Sequence, residues 1–281
     1  MSCIARSPHQ LTFAFEQRWA AGREWRLPPG RELFYDDGSF SVDIIKPKLG
    51  KPFVVEHHYA HTWPSSVLAV GLWCGSELVG VANFGNPANE AVIPHWTGYG
   101  PRDGLELNRF TLLPSVGYGG ESWFIRRAMA VVHQSRSIKA VISYADPVQR
   151  RSVHGEIIAP GHIGTIYQAS GAVFCGRGAE RVKWLAPNGT IVDGRALSKI
   201  STQECGHDYA ERYLVGLCGE ERRFGEDPRD YLARVAPLFK RFKHKGCLVY
   251  LLPMDRVVRR ELRRRHPSLP YPKGEVLERA A

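Results

Sequence analysis

Residues 105–147 read "LELNRFTLLPSVGYGGESWFIRRAMAVVHQSRSIKAVISYADP", and the order of elements within them narrows the topology. "LELNRFTLL" (105–113) alternates apolar and polar residues, which predicts a strand that Pro114 ends. "ESWFIRRAMAVVHQ" (121–134) sets Phe124, Ile125, Ala128, Val131 and Val132 on one side, as a helix with one buried face does. "KAVISYADP" (139–147) predicts a second, buried strand. A strand, a glycine-bearing loop, a helix and a strand in succession form a crossover. Such a connection places its two strands parallel and its loop at the carboxyl end of the sheet.

The loop "PSVGYGGES" (114–122) therefore offers backbone N–H groups at the start of a helix, where those donors and the helix dipole attract phosphate. Gly117, Gly119 and Gly120 let the backbone approach an anion closely. Ser122 suits either a cap or a direct bond to a phosphate oxygen, and Glu121 has to point away from any anion. Asp146 stands at the carboxyl end of the second strand, where open α/β sheets bind ligands. Capping a turn before Pro147 explains it equally well.

Outward from this unit, "FSVDIIKP" (40–47) predicts a strand stopped by Pro47, and a short helix is expected over 52–61. "SSVLAVGLWCGSELVGVANFGNP" (65–87) predicts a hairpin turning at Gly75-Ser76. Hairpin and crossover together imply an α/β fold with a mixed central sheet flanked by helices. "PGHIGTIYQASGAVFCGRG" (160–178) is expected to enter the core as a strand, with Tyr167 on one side and Gln168 on the other.

Composition bounds the class. The 281 residues are 43% hydrophobic and 23% charged, enough for a full core and against wholesale disorder. No apolar run reaches the roughly 20 residues that span a bilayer, and the N-terminus has no secretory pattern, so no membrane partner and a cytoplasmic setting are expected. The cysteines form no CxxC pair, which suggests neither a zinc site nor a disulfide framework. The formal net charge of +10 is concentrated in "FKRFKHKG" (239–246) and "DRVVRRELRRRHP" (255–267). Two reinforcing basic runs point to a polyanion, nucleic acid above all, over a merely solvated face.

The series "ELNRFTLL", "GGESWFIRRA", "VISYADP", "GHIGTIYQASGAVFCGRG" and "SKI", preceded by "EHHYAHTWP" and "LVGVANFGNPA", resembles the phage Mu Mom family of DNA-modification proteins over residues 40–200. The resemblance implies a GNAT-like fold, related to the N-acetyltransferases. It implies conversion of adenine in phage DNA to an N6-carbamoylmethyl (acetamido) derivative, which protects the DNA from host restriction. It further implies acetyl-CoA as cofactor, association with iron, double-stranded DNA as partner and a bacterial host cytoplasm as location. The active-site residues it implies are His58, Tyr59, Asp146 and Tyr167. Arg109, Thr111, Leu112, Gly119, Gly120 and Ser122 fall on its cofactor-binding segment. The chain departs from the family in the extra residues "VQRRSVHGEII" (148–158) after Asp146. They are either an inserted loop, or Asp146 is not the equivalent aspartate.

The chemistry asked of these residues is specific. The exocyclic amine of adenine is a poor nucleophile, because its lone pair is delocalised into the ring. Asp146 suits acceptance of a proton from it, and Tyr167 donation of one to a leaving group. His58 suits a base or, with Tyr59 and Asp146, a metal ligand. A target inside a duplex has to be flipped out or locally opened, and Tyr59, Trp63 and Trp96 are the aromatics that stack on a base. Without the resemblance, Tyr167 reads as a core tyrosine bonded to backbone. Two rival classes remain: a GNAT-like N-acetyltransferase of a protein or small amine, and a non-catalytic nucleic-acid-binding protein. The expected organisation is an N-terminal extension (1–40), a catalytic domain (41–200) and a basic C-terminal extension (201–281) packing on that domain.

Overall fold

The computed structural model describes residues 34–273, apart from 114, 153, 156 and 268, and the backbone of 278–279. Residues 1–33 of the expected N-terminal extension lie outside the described residues. The chain opens with β1 (Phe40–Ile45), α1 (Pro47–His57), β2 (Leu68–Cys74), β3 (Glu77–Gly85), α2 (Val92–Thr97) and β4 (Gly104–Leu112). It continues through α3 (Gly120–Ser135), β5 (Ala140–Ala145), β6 (Val148–Arg151), β7 (Ile157–Ala159), α4 (Thr165–Ala169) and β8 (Val173–Arg177). β9 (Arg181–Leu185), α5 (Gly194–Thr202), α6 (His207–Cys218), α7 (Pro228–Val235), β10 (Lys240–His244), β11 (Leu248–Pro253) and α8 (Arg256–Arg265) follow.

Among the described residues a seven-stranded sheet runs in the order β1-β2-β3-β4-β5-β11-β8. β1 to β4 are antiparallel neighbours, whereas β4 and β5 are parallel, as the crossover through α3 requires. The parallel pairing covers only Gly104↔Ala140, Leu105↔Val141 and Glu106↔Ile142, and there it stops. Beyond Glu106 the two strands diverge, and the Ser143 hydroxyl donates to the Leu107 carbonyl at 2.9 Å across the opening. This order, with an opening at its parallel step, is the GNAT-like mixed sheet expected from the sequence.

α3 buries Phe124, Ile125, Ala128 and Val132, the face its periodicity predicted, and the Phe110 and Phe124 rings meet at 5.4 Å. On the opposite face Phe53 and Val54 of α1 pack with Ile45, Ala69 and Val81. Val258 and Leu262 of α8 pack with Ile93, Ile142 and Leu251.

Contacts divide the described residues into two compact units, one within 34–147, 162–177 and 247–273, the other within 148–161, 178–246 and 278–279. These boundaries differ from the expected divisions at 40 and 200, because β11 joins the sheet between β5 and β8. The first unit holds the seven-stranded sheet. The second has its own core, in which Ile200, Leu214 and Tyr231 are fully buried. Residues 148–158 are an inserted hairpin, β6 against β7, within the second unit.

Three local expectations need correction. The helix expected over 52–61 runs from Pro47 to His57, since Pro47 starts it at a position where a missing N–H costs nothing. Tyr167 lies on the short helix α4, not on a strand, so Gln168 is not its opposite-face neighbour in a sheet. Cys74 is disulfide-bonded, where free thiols were expected, while Cys175, Cys205, Cys218 and Cys247 are free.

Candidate active site

The site is built on the β4 side of the opening, and a β-bulge sets which residues it displays. The β3–β4 register shifts between Asn83 and Phe84, so that Asn83 faces Arg109 while Phe84 faces Leu107. Asn108 is the extra residue. In a regular strand, Glu106 and Arg109 would point to opposite faces, three residues apart. The bulge returns them to the same face. Side chains lock it: the Asn83 amide donates to Asn108 Oδ1 at 2.8 Å and to the Ser65 carbonyl at 3.3 Å. Asn108 donates to that carbonyl at 3.0 Å. A Cβ at position 85 would lie 2.2 Å from the Ser65 carbonyl oxygen and 2.6 Å from Asn108 Nδ2, so Gly85 is required there.

Arg109 is held by the segment after α1. Its Nε donates to the Thr62 carbonyl at 3.0 Å and its Nη2 to Thr62 Oγ1 at 2.6 Å. Burial lowers its pKa, opposed by Tyr59, Glu106 and Tyr167 nearby. Burial also raises the Glu106 carboxyl, with Arg109 pulling the other way. Glu106 is the last rung of the parallel ladder, and Arg109 lies on the same face just beyond it, both of them half-buried.

His58 is buried, and its ring stacks on Tyr59 with centroids 4.2 Å apart. Burial, then the charge of Arg109 and the nearby His162 and His61, push the imidazole down to about 3. His58 is therefore neutral at physiological pH, and its Nδ1 accepts the Ala60 amide N–H at 3.0 Å. An imidazole so hard to protonate is a weak base, which counts against the proton-accepting role considered for it. Iron, too, fits poorly at His58, because its Nδ1 is engaged by the Ala60 amide and the Arg109 guanidinium acts on the ring as a positive charge.

Tyr167 enters from the far side of the opening. Gly164, at φ +76°, turns the chain into α4, and a Cβ there would lie 2.5 Å from the Tyr250 ring and 2.9 Å from that of Tyr167. Gln168 Nε2 donates to the Ile163 carbonyl at 3.1 Å and to the Tyr250 hydroxyl at 3.1 Å. Tyr250 in turn donates to the Ile163 carbonyl. Held this way, Tyr167 is buried and hydrogen-bonded to Ser143, with Tyr59, Glu106 and Arg109 close enough to act on it electrostatically. Burial is the first cause of a phenol pushed up to about 12, so Tyr167 carries its proton at neutral pH.

Asp146 joins through a neighbour. Its carbonyl accepts the His162 amide N–H at 2.8 Å, closing the base of the inserted hairpin. Burial lowers the His162 pKa, and Asp146 opposes that shift. His162 in turn acts on His58.

On the cofactor segment, α3 starts at Gly120 after Gly119, which has φ +95° and no side-chain cap. Gly120 differs from the expectation that it leaves room for an anion. A Cβ there would meet Val116 Cγ1 at 2.7 Å and Phe34 Cδ2 at 3.1 Å, so packing requires that glycine. Gly119 has nothing within 4 Å of that position and is the open one. The Ser122 hydroxyl donates to the Gly119 carbonyl at 3.1 Å. The Leu112 side chain packs toward Gly80, leaving only its backbone for a ligand. Thr111 Oγ1 is buried with no hydrogen-bond partner.

The fold brings His58, Tyr59, Arg109 and Tyr167 together, and with them Glu106, Ser143 and His162, to which the sequence assigned no role. Glu106 carried a signal, as an acid on a strand face that alternation alone would turn the other way.

The strand order, the crossover and the opening define a GNAT-like fold, the class to which N-acetyltransferases belong. The chain belongs to the Mom protein family, which matches residues 39–273. Similar solved structures include FeeM, an N-acyl amino acid synthase from uncultured soil microbes, at 12% identity over 43% of this chain and 86% of that one, with TM-score 0.30. A tandem GNAT protein from the clavulanic acid biosynthesis pathway matches at 10% identity over 77% and 99%, with TM-score 0.40. A Bacillus subtilis acetyltransferase in complex with CoA matches at 10% identity over 76% and 98%, with TM-score 0.30. These likenesses are distant, and the fold rests on its own strand order. No curated protein matches the chain by sequence. Among the described residues no helix is long and apolar enough to cross a membrane.

Proposed function

We propose that the protein is a transferase that binds an acyl-CoA in the opening between β4 and β5 and modifies the exocyclic amine of adenine in DNA. The product proposed is the N6-carbamoylmethyl derivative, which shields phage DNA from host restriction. One observation carries the reading: in a chain of the Mom family, the bulge at Asn108 puts Glu106 and Arg109 on one face of β4 beside the opening, with Tyr59 and Tyr167 near enough to influence Arg109.

The residues present suit acetyl-CoA. Past Glu106 the ladder has no further rung, so β4 leaves backbone groups for an extended ligand. Thr111 adds an unpaired buried hydroxyl, and the uncapped start of α3 adds N–H donors for a pyrophosphate. When bound, acetyl-CoA supplies an activated two-carbon unit. Two further reactants are needed to reach a carbamoylmethyl product from it. One is a nitrogen donor, which displaces the CoA thiolate and becomes the amide. The other is a two-electron oxidant, because the adenine nitrogen bonds to the former methyl carbon in place of one C–H bond.

The chain's own groups handle protons and orientation. Glu106, its carboxyl raised by burial, is better matched than His58 to take the proton that the adenine amine loses as its new bond to carbon forms. Arg109 keeps the resulting carboxylic acid and its anion in one place. Tyr167, protonated at neutral pH, donates to the group that leaves, and Ser143 orients its hydroxyl. Tyr59, braced by His58, offers a face on which a flipped base stacks.

Mass spectrometry of nucleosides from DNA of cells expressing the protein tests the reading. A modified deoxyadenosine is expected. Unmodified DNA beside newly acetylated amines would favour the protein or small-amine acetyltransferase instead.

A further inference from the structure

We propose that the outer face of α8 is the surface that grips the phosphate backbone of the acceptor duplex DNA. This rests on the proposed DNA substrate and adds where that substrate is held. α8 sorts its arginines by function. Val258 and Leu262 pack into the core, and the Asp255 side chain caps the helix by accepting the Val258 amide at 2.8 Å. Arg259 donates to the Gly171 carbonyl at 2.6 Å, and Arg265 to the His95 carbonyl at 3.1 Å, so both are tied down.

What remains is Arg256, Arg260, Arg263 and Arg264, all exposed. Their spacing of i, i+4, i+7 and i+8 puts them on one side of the helix. None has an ion-pair partner among the described residues. The strip is about 12 Å long at 1.5 Å per residue, the axial span of three to four phosphates of one strand.

The strip also lies on the correct side of the sheet. Parallel partners share a face, so Glu106 lies on the Ile142 face, which Val258 and Leu262 of α8 cover. Directly paired antiparallel residues share a face too. Asn83, opposite both Arg109 and Ala69, therefore puts Arg109 on the face that α1 covers. Since the bulge joins Glu106 to Arg109, α1, α8 and the site residues of β4 share one face. α3 occupies the other. A duplex lying on α8 is on the side of Glu106 and Arg109, where its flipped base has to arrive.

A membrane is a poorer match. An interfacial helix pairs its cationic side with an apolar face free to enter lipid, and in α8 Val258 and Leu262 are buried, leaving Val257 as a single exposed apolar side chain.

The test is a salt titration of binding to two unrelated 25-base-pair duplexes, using the full chain and two variants. In the first variant the four arginines become Gln, and in the second they become Lys. Each lost phosphate contact should flatten the slope of log affinity against log salt by about 0.9. The Gln variant should therefore be flatter and weaker on both duplexes, with the Lys variant close to the parent. Equal slopes for the parent and a folded Gln variant would overturn the assignment of α8. A parent that binds anionic vesicles but no duplex would overturn the DNA substrate itself.

Discussion

At Tyr167 burial and position act together. The phenol is buried, bonded to Ser143 and protonated at neutral pH, so its value to the reaction is one transferable proton. Tyr167→Phe removes that proton at nearly constant volume. The rate of adenine modification should fall by about 10²- to 10⁴-fold while duplex affinity is retained. Time courses by nucleoside mass spectrometry check this, and a normal rate would remove Tyr167 from the proton path. Glu106 accepts a proton only as the carboxylate, so the parent's rate should rise with pH as this group ionises, and Glu106→Gln should lower the rate similarly and abolish that rise. His58 has a different signature. Its ring is held at about 3 in the folded protein against 6.5 ordinarily, so the unfolded chain takes up the proton first. Stability from this group is therefore complete above about pH 6.5 and is lost as pH falls toward 3, by an amount on the order of a few kcal/mol. Urea unfolding between pH 7 and 4 should give a shallower pH dependence for His58→Gln than for the parent, and parallel curves would refute the cause.

At the scale of elements, the entry to α3 separates two glycines that look alike in "GYGGES". Gly120 is fixed by packing against Val116 and Phe34, whereas Gly119 is open and fixed by its left-handed backbone. An aspartate tolerates that backbone better than most residues, so Gly119→Asp should fold and place a carboxylate beside the start of the helix. CoA affinity measured by calorimetry should fall several-fold. Unchanged affinity would take the loop out of the cofactor site. Elements with a long period were legible in the sequence: the α3 face from Phe124 to Val132 and the 65–87 hairpin. Short ones were not. "GTIYQA" carries Thr, Ile and Tyr between glycines, which is strand chemistry by propensity, and five residues are too few for a helical period to contradict it. The packing of Gly164 against the Tyr250 ring, made across the fold, decides for the helix. The bulge at Asn108 was hidden for a related reason. Its cause lies in Asn83, Ser65 and Gly85, far from it in sequence, and with it went Glu106.

At the scale of the whole molecule, the largest feature invisible in the sequence is that β11, which follows the basic run 239–246, is a strand of the central sheet between β5 and β8. Nothing local in "CLVYLLP" names its partners. The register with β5 comes from burial of Val249, Tyr250 and Leu251 on both sides of the sheet. The chain consequently leaves the first unit and returns to it twice, and the second unit closes its own core around Leu214, Ile200 and Tyr231. That unit is further braced by Arg234, which donates to Glu226 at 2.8 Å and to Glu220 at 2.9 Å. A core of this kind has its own stability to lose. Leu214→Ala leaves a cavity in a fully buried position and should cost about 2–5 kcal/mol. Because Leu214 packs within the second unit's cluster, the loss should fall first on amides of α5, α6 and α7. Native-state hydrogen exchange should show those amides deprotected while β2 to β5 keep parental protection. Equal loss of protection in both sets would mean that the two cores unfold as one.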